Sequence, residues 1–98
     1  MKAPQDCHDM TELRAAIDAL DVSIVAGLKA RAAYIDRAVQ LKRENGLPAR
    51  IDDRVEDVVA KVREAARHQA LDPDLVESLW RRLIEWSIAR EERVLGRE

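Results

Sequence analysis

From Met10 to Asn45 the chain runs without a proline, and apolar residues recur at Met10, Leu13, Ile17, Leu20, Ile24, Leu28, Ile35 and Val39. Recurrence at three and four residues marks one face of an amphipathic helix. About 35 residues at 1.5 Å rise span roughly 50 Å. A compact domain of this size has a radius of gyration near 13 Å, hence a diameter of about 33 Å. Such a helix overhangs any core that 98 residues can build. A second copy is the economical cover for the excess. The pattern predicts an all-α chain: a three-helix protomer with a very long first helix, in an intertwined homodimer.

The boundaries are well marked. Asp9 or Thr11 is the expected N-cap of the first helix. Asn45-Gly46 ends it, with Gly in the left-handed C′ position and Pro48 following. Gly27 inside it costs about 1 kcal/mol relative to alanine. A second helix is predicted from Asp52 to His68, with Val55, Val58, Val59, Val62, Ala65 and Ala66 on its apolar side. Asp72-Pro73 supplies an N-cap and a proline at the first helical position. The third helix then carries Leu75, Leu79, Leu83, Trp86 and Val94 as its core side, with Trp80 and Trp86 read as core residues. No repeat or low-complexity linker interrupts the chain, which reads as one domain over residues 1–98.

Composition removes several functions. A net charge of −2, two Trp, one Tyr and no Phe offer neither an electrostatic footprint nor a stacking surface for nucleic acid. No apolar run approaches the ~18 residues of a membrane span, and the polar start lacks a signal-peptide core. The single Cys7 fits a reducing compartment, so the expected setting is cytoplasmic. His8 and His68 have no partners at metal-ligand spacing. Cys7 has no Cys–His arrangement around it, and a Gly-rich phosphate loop is missing. Neither metal nor cofactor is expected.

Four cations interrupt the apolar stripes instead. Arg31 and Lys42 fall within the stripe of the first helix, eleven residues and so about 16 Å apart on a shared face. Arg54 lines up with Ile51, Val58 and Ala65 on the second helix. Arg14 lies about 100° around the wheel from Arg31 and roughly 25 Å away along the axis. One small ligand reaches both only if a second chain, crossing antiparallel, supplies Arg14. On the third helix, Ser87 and Glu91 stand one turn apart beside Trp80 and Ile84. A neutral Glu91 would donate a hydrogen bond there, whereas an ionised one would repel an anion. Each residue also has a plainer reading. A single Arg or Lys often lays its stem over a core with its head in water. Ser87 suits a helix surface, and Glu91 suits an ion pair with Arg14, Arg54 or Arg90.

The run Leu13-Arg14-Ala15-Ala16-Ile17-Asp18-Ala19-Leu20-Asp21, followed by Arg31, Lys42, Arg54 and Ser87-x-x-x-Glu91, resembles the all-α (AroQ-class) chorismate mutases over nearly the whole chain. The opening Pro4-x-Asp6-Cys7 also resembles the isochorismate–pyruvate lyases of the same superfamily. The resemblance implies an interlaced dimer with two equivalent sites. In each, the partner's Arg14 and this chain's Arg31 clamp the carboxylates of a small dicarboxylate substrate. Lys42 and Glu91 meet its ether oxygen as the catalytic pair. Arg54 supports the loop side, and Ser87 sits near the ring carboxylate. Ile51 and Val55 stand where bacterial mutases often carry acidic residues. The interval of twelve between Lys42 and Arg54 is more similar to the mutases than to the lyases.

The implied activity is rearrangement of chorismate to prephenate, with isochorismate–pyruvate lyase as the alternative. A non-catalytic helical dimerisation module is the reading outside enzymology. A pericyclic rearrangement needs no nucleophile. A protein contributes a fixed reactive conformer and charge where the breaking C–O bond becomes electron-rich.

Overall fold

The computed structural model describes residues 2–96 and contains three α-helices with no strand among them: α1 (Met10–Asn45), α2 (Asp52–His68) and α3 (Pro73–Leu95). The all-α expectation and the three helix spans hold. The chain divides into two compact units, Met1–Tyr34 and Ile35–Glu98. No helix among the described residues is long and apolar enough to cross a membrane.

The first unit consists of a 3-10 turn at Pro4–Asp6 and the larger part of α1. Asp9 is the cap. Its Oδ1 accepts the Glu12 N–H at 2.8 Å, while Glu12 Oε2 accepts the His8 N–H at 3.1 Å. The first bond satisfies a donor that a helix start leaves orphaned, and the second ties the residue before the cap to the first turn. The His8 N–H, then the Lys2 ammonium, hold the Glu12 carboxyl below its ordinary range. Beyond the cap, Ile17, Leu20, Ile24, Val25 and Leu28 are all exposed. Among its described residues the unit holds no second α-helix to cover them.

In the second unit, α1 ends as its sequence dictates. Gly46 adopts φ +66°, and the Leu47 N–H closes back onto the Lys42 carbonyl at 2.8 Å. That is the six-to-one bond of a Schellman ending, which needs a residue free to take positive φ. The end of α2 closes the same way, Leu71 N–H to Ala66 carbonyl at 2.9 Å, but with Ala70 at φ +56°. Asp72 Oδ1 then accepts the Asp74 N–H at 2.9 Å and starts α3. The core between α2 and α3 is built from Ala49, Val59, Ile84 and Ile88, with Val55, Val58 and Leu95 packed against it. Ion pairs rim it: Arg81 bridges Glu56 and Glu77, and Arg63 bridges Asp74 and Glu77.

One expectation needs correction. Leu75, Leu79, Trp86 and Val94, expected on the core side of α3, are exposed, Trp86 by 50 %. The helix instead buries Val76, Ile84, Ser87, Ile88 and Glu91. α3 is apolar on two sides, and α2 covers only one of them.

Candidate active site

Lys42 and Glu91 meet. Lys42 lies in the last turns of α1, and its Nζ donates to Glu91 Oε2 at 2.7 Å. The same Nζ donates to the Ala49 carbonyl, also at 2.7 Å. The lysine side chain is 19 % exposed and the glutamate side chain 5 %. A buried carboxylate is tolerated where a cation and hydrogen bonds compensate its lost hydration, and Lys42 supplies both. Arg54 and Arg90, two of the partners the sequence offered Glu91, pair instead with Asp57 and Asp36.

Ser87 is buried one turn before Glu91, its Oγ donating to the Leu83 carbonyl at 2.9 Å. Lys42 also lines an open groove of about 490 Å³ with Arg43, Gly46, Leu47, Pro48, Val94 and Leu95. Three residues singled out by sequence are thus two buried members of α3 and a lysine held against one of them.

Arg54 departs from the sequence pattern. Its side chain is 62 % exposed and donates to Asp57 at 2.7 Å. α2 turns Val59 and Ala66 inward, and Arg54 lies about 140° around the wheel from Val59. The stripe Ile51–Val58–Ala65 was therefore off the buried centre. The Lys61 ammonium and then Arg54 hold the Asp57 carboxyl below its ordinary range. Arg14 and Arg31 belong to the first unit. Arg14 is exposed and Arg31 half-buried.

Two features escaped sequence reasoning. The Ala49 carbonyl is backbone and leaves no mark on residue type. Arg50 grips Glu85 of α3 with two hydrogen bonds, at 2.5 and 3.1 Å. Residues 35 apart in opposite charge carry no local signal. Among the described residues no cluster of three or more His, Cys, Asp or Glu could hold a metal.

A largely buried cation–carboxylate pair with a buried hydroxyl one turn away suits binding and charge stabilisation. The family model for chorismate mutase type II matches residues 13–92. The chain belongs to the chorismate mutase type II family. Among its relatives is an isochorismate pyruvate lyase of Pseudomonas aeruginosa, 35 % identical over 92 residues, covering 93 % of this chain and 89 % of that protein. A T-protein of Enterobacter agglomerans is 29 % identical over 83 residues, covering 85 % of this chain but 22 % of the relative. The matched span takes in Arg14, Arg31, Lys42, Arg54, Ser87 and Glu91 together.

Proposed function

We propose that this member of the family is a chorismate mutase, rearranging chorismate to prephenate by positioning and electrostatics within a single helical domain. The observation that carries this reading is the Lys42–Glu91 pair, brought together by α1 and α3 inside the span matched by the family. In the proposed cycle, Arg31 and the partner's Arg14 grip the two substrate carboxylates, a task for which a planar guanidinium is suited and an ammonium is not. Lys42 donates to the ether oxygen as the C–O bond lengthens, beside Glu91. Ser87 lies by the ring carboxylate, and Arg54 supports the loop side. Charge-assisted hydrogen bonds contribute about 1.5–3 kcal/mol each. A millionfold acceleration requires about 8 kcal/mol, which a few such contacts and conformer selection supply.

The same reading includes an intertwined homodimer with shared sites. Its support is the row Ile17, Leu20, Ile24, Val25 and Leu28, exposed in a unit whose described residues contain no second α-helix. The cytoplasm, where Cys7 stays reduced, is the compartment that suits it.

A second reading, isochorismate–pyruvate lyase, is favoured by the relative that shares nearly its full length with this chain. Elimination would use the same carboxylate clamp and the same donor to the ether oxygen. One side-by-side experiment separates the two. Loss of chorismate absorbance with formation of prephenate supports the mutase, and salicylate fluorescence from isochorismate supports the lyase. A purified protein inert towards both refutes the enzymatic reading.

A further inference from the structure

An ammonium has three N–H donors, and Lys42 commits two of them, to the Ala49 carbonyl and to Glu91. One remains for a ligand, and its direction depends on where the two acceptors stand. Glu91 is fixed by burial within α3. The Ala49 carbonyl belongs to the linker of residues 46–51 between α1 and α2, and two anchors hold it. The Ala49 side chain is buried with Val59, Ile84 and Ile88. The next residue, Arg50, forks onto Glu85, which lies on α3 as Glu91 does. Both acceptors of Lys42 are thereby referenced to one rigid helix.

We propose that the Arg50–Glu85 fork is a positioning device for Lys42, pinning the linker to α3 so that the Ala49 carbonyl aims the remaining donor of the ammonium. The proposal deepens the function proposed above and rests on the role given there to Lys42. The fork suits the task. Two parallel hydrogen bonds fix orientation as well as distance, which a single contact cannot. Glu85, with Asp52 and Glu92 nearby, keeps Arg50 charged, and Arg50 holds the Glu85 carboxyl below its ordinary range. Both side chains are about half exposed to solvent, and exposed ion pairs contribute little to stability. The fork's effect falls on geometry.

The experiment compares Arg50→Ala, Glu85→Ala, the double variant and Arg50→Lys with wild type, in turnover of chorismate and of isochorismate and in thermal unfolding. Misplacement of a catalytic donor by a fraction of an ångström predicts a kcat about tenfold lower in either alanine variant, with KM changed by less than about twofold. The double variant falls no further than the singles, because both remove one interaction. Arg50→Lys, keeping the charge without the fork, lies between. A merely structural pair would move the unfolding temperature and leave kcat alone. The second measurement is proton exchange of the Lys42 ammonium by 15N NMR, its signal identified by its absence in Lys42→Met. Exchange accelerates several-fold in both alanine variants if the linker no longer holds the acceptor. In an active enzyme, unchanged kcat in both alanine variants overturns the proposal. If wild type turns over neither substrate, the catalytic reading has failed, and unchanged ammonium exchange then overturns the positioning separately.

Discussion

Replacing Lys42 by methionine keeps the unbranched apolar stem and removes the charge. Glu91 is then left 5 % exposed with no cation. Removing one member of a buried ion pair costs about 3–5 kcal/mol, chiefly from the abandoned charge. The 19 % exposure of the lysine side chain admits some water, which puts this site at the lower end, about 3 kcal/mol. Domains of this kind have a total stability of about 5–15 kcal/mol, so the loss is large without being fatal. At an m-value of about 2 kcal/mol per molar, the urea midpoint falls by about 1.5 M. The decisive comparison is Lys42→Met with Lys42→Met/Glu91→Met. Exchanging the whole pair for apolar volume removes the stranded charge, and the double variant regains most of the loss. It stays about 1–2 kcal/mol short of wild type because the Ala49 carbonyl has lost its donor. Far-UV circular dichroism in urea measures all three proteins at one concentration, since association shifts apparent stability. A single variant with the wild-type midpoint, or a double variant weaker than the single, refutes the argument from burial.

In the proposed site, Arg31→Ala and Arg14→Ala would each remove a two-point grip on a carboxylate worth about 3 kcal/mol, so kcat/KM should fall by about a hundredfold; helical content by circular dichroism should not change. Glu91→Gln keeps an acceptor for Lys42 and, in the proposed site, removes a negative charge beside a dianionic substrate, so KM should fall several-fold in steady-state assays, and a rise would contradict the proposed site. Arg90, at 2.6 and 3.0 Å, holds the Asp36 carboxyl below its ordinary range. A depressed carboxylate stabilises the fold above its unfolded-state pKa of about 3.9, and that stabilisation is lost as pH falls through the folded value. Asp36→Asn should therefore flatten the acid limb of a stability–pH profile below about pH 4, and an unaltered limb would show the pair to be idle. Ile24→Glu on the exposed row of α1 should disrupt the proposed dimer and leave a sedimentation mass of one chain; a dimer mass in the variant would remove the contact from this face.

Helix ends were legible because they are local chemistry. Asp9, Gly46 and Asp72-Pro73 each solve the problem of unpaired backbone groups within a few residues. The pairing of Lys42 with Glu91 was half legible. Opposite charges interrupting two apolar stripes announce burial, but which cation meets which acid depends on how α1 and α3 cross. Arg54 and the apolar residues of α3 misled for a related reason. Val55, Val58, Val59 and Val62 make α2 apolar over a wide arc, and α3 is apolar on two sides. Periodicity then fixes that a helix is amphipathic, while packing selects the face. The Arg50–Glu85 fork has no signature along the chain at all.

Trp86 lies half in solvent with the Arg90 guanidinium 5.4 Å from its ring centre. Indole emission shifts to the blue when water leaves the ring, so this side of α3 carries a native optical reporter. Titrating the unlabelled protein from nanomolar to micromolar concentration, or adding a dicarboxylate to it, reads out whichever event dries that surface.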